Sequence, residues 1–278
     1  MISIVIPTYN RPELLAKCLD CLSYDIQGLN KTDYEVIISD DSSNEQTKNL
    51  VKDKYSSFKF NTGPRRGPAA NRNSGASKAR GEWIMFIDDD CYPDSGIVKE
   101  YLKAINDKPI VKVFEGCIKA DRPKQHFLEE SPVNLSGGYL WSCNFLINRD
   151  LFINELKGFD ENFPFAAMED MDVDIRLKKA GYKIIFVEDA VVIHPWRLQH
   201  DMVSMVKRRI KSEEYFFEKH PEMLVKRSLF NRYKNKLKYC YQLIIDIFIF
   251  RGRGLTTYLK VQSIISKYRD DRDNKILS

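Results

Sequence analysis

The stretch EWIMFIDDD, Glu82 to Asp90, runs four apolar residues, Ile84 to Ile87, straight into three consecutive carboxylates, Asp88, Asp89 and Asp90. A short apolar run of this length, bounded by turn-type residues, reads as a buried strand. Like charges side by side repel, so three acids at the end of a buried strand call for a positive partner. If the extended geometry persists, alternation sets Asp88 and Asp90 on one side and Asp89 on the other. A hard divalent ion such as Mg²⁺ or Mn²⁺ suits one or two such carboxylates together with substrate phosphates. The plainer alternative is a solvated acidic turn that caps the next helix, DSGIVKEYLKAI, a task Asp94 can do alone.

Outward from that strand, the first half alternates strand and helix signals. ISIVIP is a short apolar strand ended by Pro7, and YEVIISD is the next strand. RPELLAKCLDCL places Leu14, Leu15, Cys18, Leu19 and Leu22 on one helical stripe, with Pro12 early, where helices tolerate it. Ser43 is placed to cap NEQTKNLVKDKY, FKFN follows as a short strand, and PAANRNSGASKAR reads as a helix entered at Pro68 and stopped before Gly81. This order predicts an α/β fold: a mostly parallel, Rossmann-like sheet flanked by helices. The second half is less regular. VKVFEGCIK, GYLWSCNFLI, YKIIFVE and AVVIH read as strands, NRDLFINEL as a short helix, and EDMDVDIRLKKAG as a helix stopped at Gly181.

Ligands of such sheets bind beyond the carboxyl ends of the strands. Those ends read PTYN, SDDS and DDDC. Asp40 and Asp41 can accept hydrogen bonds from a base N–H or a ribose hydroxyl, or simply form a turn. Arg72 and Asn73 lie on the helix that feeds the acidic strand, and Arg72 can pair with phosphate or with aspartate. Asp172 and Arg176 stand four apart on one helix, the spacing of a structural ion pair.

Composition is that of a soluble globular chain, 43% hydrophobic and 30% charged over 278 residues. MISIVIP lacks the basic n-region of a signal peptide, and no apolar run approaches the roughly 20 residues that span a bilayer. Cys18 and Cys21 form a C-x-x-C within a helical stripe, but no second pair stands at zinc spacing, so reduced thiols in the cytoplasm are expected. Residues 201–278 hold 18 Lys+Arg against 9 Asp+Glu, a net +9. Residues 1–200 hold 26 against 30, a net −4. The chain therefore divides into 1–198 and a basic, aromatic-rich helical extension, 199–278. That extension suits an acidic partner such as an anionic membrane surface or nucleic acid, or it caps the preceding domain.

Five blocks taken in order resemble glycosyltransferase family 2 of the A-type fold: IVIPTYNRPELLAKCL, VIISDDSSNEQT, AANRNSGASKARGEWIMFIDDD, GFDENFPFAAMEDMDVDIRLKKAGYKI and VVIHP. They cover about residues 1–195. The resemblance implies that Pro7, Thr8 and Tyr9 lie against a nucleotide base, and that Asp41 contacts it. It places Arg72, Asn73, Asp88 and Asp89 along the donor, with Asp90 the direct metal ligand, Asp88 near ribose and metal, and His194 a further ligand that favours Mn²⁺. Trp141 and Asn144 fall near the transferred sugar. Glu169-Asp170 matches the acceptor-side pair, with Asp170 the general base. At the start of a helix Asp170 is expected to be ionised and weakly basic.

The implied activity is a metal-dependent, inverting transfer from a nucleoside-diphosphate sugar to a glycan or lipid-linked acceptor, in bacterial surface polysaccharide synthesis. No nucleic acid partner is expected. The location would be cytoplasmic, with a peripheral place on the inner face of the cell membrane as its membrane-bound form. The base stays open among uridine, thymidine and guanosine, and no motif sets the oligomeric state. Two other readings use the same acids: a non-catalytic nucleotide-binding or scaffolding protein, and a metal-dependent phosphohydrolase or nucleotidyltransferase. No P-loop and no G-x-G-x-x-G stretch is present.

Overall fold

The stretch ISIVIPT forms strand β1 (Ile2–Thr8), buried along its whole length. The remaining strands are β2 (Tyr34–Asp40), β3 (Lys59–Thr62), β4 (Trp83–Phe86), β5 (Tyr92–Pro93), β6 (Val113–Ala120), β7 (Glu129–Glu130), β8 (Phe145–Asn148), β9 (Ile184–His194) and β10 (Arg197–Leu198). The helices are α1 (Pro12–Cys21), α2 (Tyr24–Gln27), α3 (Gln46–Lys54), α4 (Pro68–Ala76), α5 (Ile97–Asp107), α6 (Glu169–Lys179), α7 (Met202–Lys219), α8 (Leu229–Phe250) and α9 (Leu255–Lys275). This is a computed structural model that describes residues 1–224 and 229–275. The parts of the basic extension at 225–228 and 276–278 lie outside the described residues.

Two units divide the chain. The first takes Met1–Asp121, Pro132–Asn162 and Glu169–Pro195. The second runs from Trp196 onward and also takes Arg122–Ser131 and Phe163–Met168. Sequence composition places a division at 198; two short segments that precede it also belong to the second unit.

Among the described residues of the first unit, eight strands form one sheet in the order β3-β2-β1-β4-β8-β6-β9-β5. β1 lies parallel to β2, from Ile2 opposite Tyr34 to Thr8 opposite Asp40. It also lies parallel to β4, from Ile2 opposite Trp83 to Val5 opposite Phe86. Thr8, Asp40 and the residues after Phe86 therefore emerge at one edge. β8 enters antiparallel between β4 and β6. Alternation along the strands feeds two cores. Ile2, Ile4, Ile6, Val36, Ile38 and Met85 pack with Leu15, Leu19 and Tyr101. Val5, Ile37, Ile84 and Phe86 pack with Ala69, Val173 and Leu177 on the other face. Helices thus cover both faces, as the strand–helix alternation predicts.

Several boundaries differ from expectation, each for a local reason. β1 continues through Pro7 to Thr8. Val5 O accepts from Ile87 N, so residues 5 and 7 face β4, and β4 stops before the level of Pro7; the missing N–H costs no ladder bond. α3 starts at Gln46, whose N–H is accepted by Asn44 Oδ1 at 3.0 Å, so Asn44 and not Ser43 closes that end. α4 ends at Ala76, short of the expected stop. NRDLFINEL gives one π-turn, Leu151–Glu155. YKIIFVE and AVVIH join into β9, whose pairing with β6 shifts register between Gly116 and Cys117. A bulge absorbs the polar Glu188-Asp189 that made one strand look like two.

The second unit packs α7 against α9 through Met202, Val206 and Val261. β7 and β10 pair antiparallel, and Phe127 sits between Phe250 at 5.0 Å and Tyr258 at 4.9 Å. None of its described helices is long and apolar enough to cross a membrane.

At the bulge, a Cβ on Gly116 would lie 2.3 Å from Asn144 Nδ2, 2.5 Å from Tyr101 Oη and 2.6 Å from the Ala190 carbonyl oxygen. Gly116→Ala is expected to cost about 1–3 kcal/mol by overpacking, read as a lower urea midpoint at unchanged slope. An unaltered midpoint would contradict this packing.

Candidate active site

The acidic triple lies just past β4, in a turn, because the strand ends at Phe86. Strand alternation therefore no longer applies, and the expected convergence of Asp88 with Asp90 is corrected. Asp89 and Asp90 converge instead. Arg11 Nη1 lies 3.1 Å from Asp89 Oδ1 and 3.4 Å from Asp90 Oδ2, while its side chain stays 46% exposed. Thr8 Oγ1 donates to Asp89 Oδ2 at 2.7 Å, tying the end of β1 to the turn. Asp88 turns the other way, its Oδ1 2.7 Å from Arg72 Nη2.

Arg72 is buried on α4 and stays charged, because Asp88, Asp170 and Glu169 together outweigh the cost of its burial. Its Nη1 lies 3.7 Å from Glu169 Oε1, and Phe159 stacks under the guanidinium at 5.7 Å. The strand-end acids and the Glu169-Asp170 pair are thus linked through one side chain. α6 opens on Glu169 just after Met168, which holds a left-handed φ of +74°. Such strain in a non-glycine residue gathers at functional sites. Gly181, at φ +82°, follows the other end of α6.

Asp170 Oδ2 accepts from Ser142 N at 3.0 Å and from Ser142 Oγ at 3.2 Å. Its Oδ1 is sealed from solvent and has no hydrogen-bond donor. Burial pushes the Asp170 carboxyl above the ordinary carboxylate range, against the pull of Arg72 and Ser142. The helix start alone predicted a weak base; burial outweighs it and makes Asp170 a stronger one. Glu169 is pushed up to about 7, first by burial and then by the charge of Asp170. Burial thus raises both carboxyls, and the charge on either acid further disfavours ionisation of the other.

Asp90, Cys91 and His194 are buried with donor atoms within 4.8 Å of one another. His194 Nδ1 lies 3.1 Å from the Pro195 carbonyl oxygen, and its Nε2 lies 3.5 Å from Asp90 Oδ1. A carboxylate and an imidazole nitrogen suit Mn²⁺ and, less well, Mg²⁺. Burial pushes the Cys91 thiol well up, so it stays protonated and is a poor donor to a hard cation. Asp90 and His194 therefore fit a divalent cation. Asp88, expected as a further ligand, lies outside this group and is engaged by Arg72.

At the base end, Tyr9 is exposed, and Asp41 is buried with Oδ1 accepting from Arg65 N at 2.8 Å. Asn71 Oδ1, buried beside the Thr8 and Ser39 carbonyls, has no donor. Two of the residues expected along the donor are engaged within the fold. Asn73 donates to the Phe159 carbonyl and to Glu161 Oε1 and accepts from Phe159 N, so it pins the loop before α6. Asn144 donates to the Cys117 and Ala190 carbonyls and accepts from Tyr101, so it clamps β6 to β9. Trp141 is half-buried one residue before Ser142 and stacks edge-on with Tyr139 at 5.8 Å. Sequence reasoning missed Arg11, Ser142 and Asn71. A cue was available for Ser142, which lies between the two residues expected near the sugar.

Residues 3–155, more than half of the chain, match the model of Glycosyl transferase family 2. The chain is 33% identical over 122 residues to a GalNAc(5)-diNAcBac-PP-undecaprenol beta-1,3-glucosyltransferase of Campylobacter jejuni, covering 42% of this chain and 38% of that protein. It is 30% identical over 141 residues to the poly(ribitol-phosphate) beta-N-acetylglucosaminyltransferase TarS of Staphylococcus aureus, covering 47% of this chain and 24% of that protein. The chain thus spans well under half the length of these relatives. Among solved structures, TarS 1–349 in complex with UDP-GlcNAc aligns with TM-score 0.57 at 22% identity, over 76% of this chain and 64% of that one. The mannosyltransferase PcManGT from Pyrobaculum calidifontis, in complex with GDP-Man and Mn²⁺, aligns with TM-score 0.60 at 17% identity, over 96% and 75%. At such identities the likeness shows the fold, that of A-type glycosyltransferases.

The raised Glu169 carboxyl has a consequence for stability. A folded-state value near 7 lies above the ordinary unfolded value of about 4.5. Its contribution is full below about pH 4.5 and is lost as pH rises through about 7. Glu169→Gln is expected to flatten the fall in melting temperature between pH 5 and 8 relative to the natural chain. Parallel profiles would contradict the assignment.

Proposed function

As the chain belongs to glycosyltransferase family 2, we propose that it is a metal-dependent inverting transferase. It would move a hexosyl group from a nucleoside-diphosphate sugar to a hydroxyl of a glycan or lipid-linked acceptor, in bacterial surface polysaccharide synthesis. The observation that carries this reading is the Arg72 bridge. One buried guanidinium has Asp88 at 2.7 Å and Glu169 at 3.7 Å, so the acidic turn after β4 and the start of α6 meet at one side chain. Two relatives support this acceptor class by name, one a transferase named for a PP-undecaprenol-linked glycan and the other for poly(ribitol-phosphate).

Tyr9, Thr8 and Asp41 would hold the base end, with Asp41 presenting a carboxylate to a base N–H. Asp90 and His194 would hold Mn²⁺ or Mg²⁺. Bound there, the cation would neutralise the charge that gathers on the leaving diphosphate. A neighbour of the same fold is described with GDP-Man and Mn²⁺, which favours manganese. The Asp170 Oδ1, without a donor of its own, would accept the proton of the acceptor hydroxyl. As that proton leaves, the acceptor oxygen bonds to the anomeric carbon, and the bond to the diphosphate breaks with its electron pair. Attack from the face opposite the leaving group inverts that carbon. Arg72 would favour the ionised form of Asp170 before the step, against the effect of burial. Ser142 holds Oδ2, and Oδ1, closed to solvent in this structure, would have to be uncovered for the acceptor hydroxyl to reach it. A lipid-linked acceptor would place the protein on the inner face of the cell membrane.

Asp170→Asn should keep nucleoside-diphosphate affinity within about twofold while transfer falls about 10²- to 10⁴-fold. Calorimetric titration and product release on a panel of glycan acceptors measure the two. A parallel loss of nucleotide affinity would count against a general-base role.

A further inference from the structure

The helix α8 is turned the wrong way round for a solvent-facing element. Tyr241, Ile244 and Phe248 fall at i, i+3 and i+7, one face of a helix, and are 67%, 57% and 79% exposed. Ile249 beside them is 58% exposed. The inward face is served by Phe250, 5% exposed and packed on Phe127. A soluble helix places its apolar residues inward and its charges outward; here large apolar side chains occupy the outer face. Single exposed apolar residues are ordinary, but four within two and a half turns need an occupant.

We propose that this face of α8 is an interfacial membrane contact, with Tyr241, Ile244, Phe248 and Ile249 entering the boundary between headgroups and acyl chains of an anionic bilayer. The inference deepens the lipid-linked acceptor reading above and rests on it only for the reason to be at a membrane. Charge selects the occupant. Lys238 is exposed one turn before Tyr241, and Arg251 is exposed just past Phe250. Residues 201–278 as a whole carry 18 basic against 9 acidic side chains, a net +9. Basic residues beside an apolar face are attracted to anionic lipid. The same charges oppose a second copy, because a face-to-face pair would set Lys238 and Arg251 of one chain against those of the other. Asp246, the acid within this stretch, is engaged by Gln242 at 2.9 Å. The contact lies on the surface and does not span, since no described helix is long and apolar enough to cross.

The test is flotation of the full chain with phosphatidylglycerol–phosphatidylcholine vesicles and with phosphatidylcholine vesicles alone. The natural chain should float with the anionic vesicles and release as salt rises. Ile244→Glu/Phe248→Glu should lower the bound fraction at least about tenfold, since two apolar side chains no longer enter the bilayer. Lys238→Glu/Arg251→Glu should lower binding to anionic vesicles only. Melting temperature and nucleoside-diphosphate binding of each variant verify that the fold is kept. No flotation of the natural chain, or equal flotation of Ile244→Glu/Phe248→Glu, overturns the proposal. So does a concentration-dependent dimer in light scattering that Phe248→Glu abolishes, which would assign the face to a second copy. A chain that binds nucleoside diphosphate but does not float refutes the membrane face alone. A chain that floats but binds no nucleoside diphosphate supports the face and counts against the transferase reading.

Discussion

A buried guanidinium governs the first unit. Taking the Arg72 charge out of water costs several kcal/mol unless opposite charges compensate. Asp88 supplies one at 2.7 Å and Glu169 another at 3.7 Å. The charge in turn opposes the rise that burial gives the two adjacent acids at the start of α6. Removing it would take away the cation that Asp88 and Glu169 share. The position of α4, packed on β1 and β2, therefore decides both where the acidic turn sits and how the acid pair titrates.

Charge counting extends the same logic to the cation. Asp88, Asp89, Asp90, Glu169 and Asp170 face Arg72 and the half-exposed Arg11. Arg11 sits at the outer edge of the Asp89–Asp90 pair, where water screens it. A divalent ion held by Asp90 and His194 would add positive charge at the edge where Asp89 and Asp90 meet Arg11. Two protein donors, a carboxylate and an imidazole, would leave coordination positions for phosphate oxygens.

Much of this was legible in the chain because it depends on local pattern. The alternation of ISIVIP, YEVIISD and EWIMFID with helical stripes gives a mostly parallel sheet, and the parallel order alone brings their carboxyl ends together. The Asp172–Arg176 pair at 2.8 Å follows from helical spacing. What the sequence could not show depends on contacts distant along the chain. Arg11 meets Asp89 across 78 positions, and Ser142 meets Asp170 across 28. Asn73 and Asn144 are motif residues whose polar atoms hold the frame, and only their partners distinguish that from ligand contact. Strand alternation failed at Asp88–Asp90 because the strand had already ended. Burial, which raises Asp170, is a property of the packed state that no spacing encodes.

Metal-linked donor capture by Asp90 and His194 is tested most directly by the melting temperature of the full chain against uridine, thymidine and guanosine diphosphates, with and without Mn²⁺. The account predicts a rise of several degrees for one nucleotide, present only with Mn²⁺ and lost in Asp90→Ala. Equal rises with and without the metal, or a rise that survives Asp90→Ala, would contradict it.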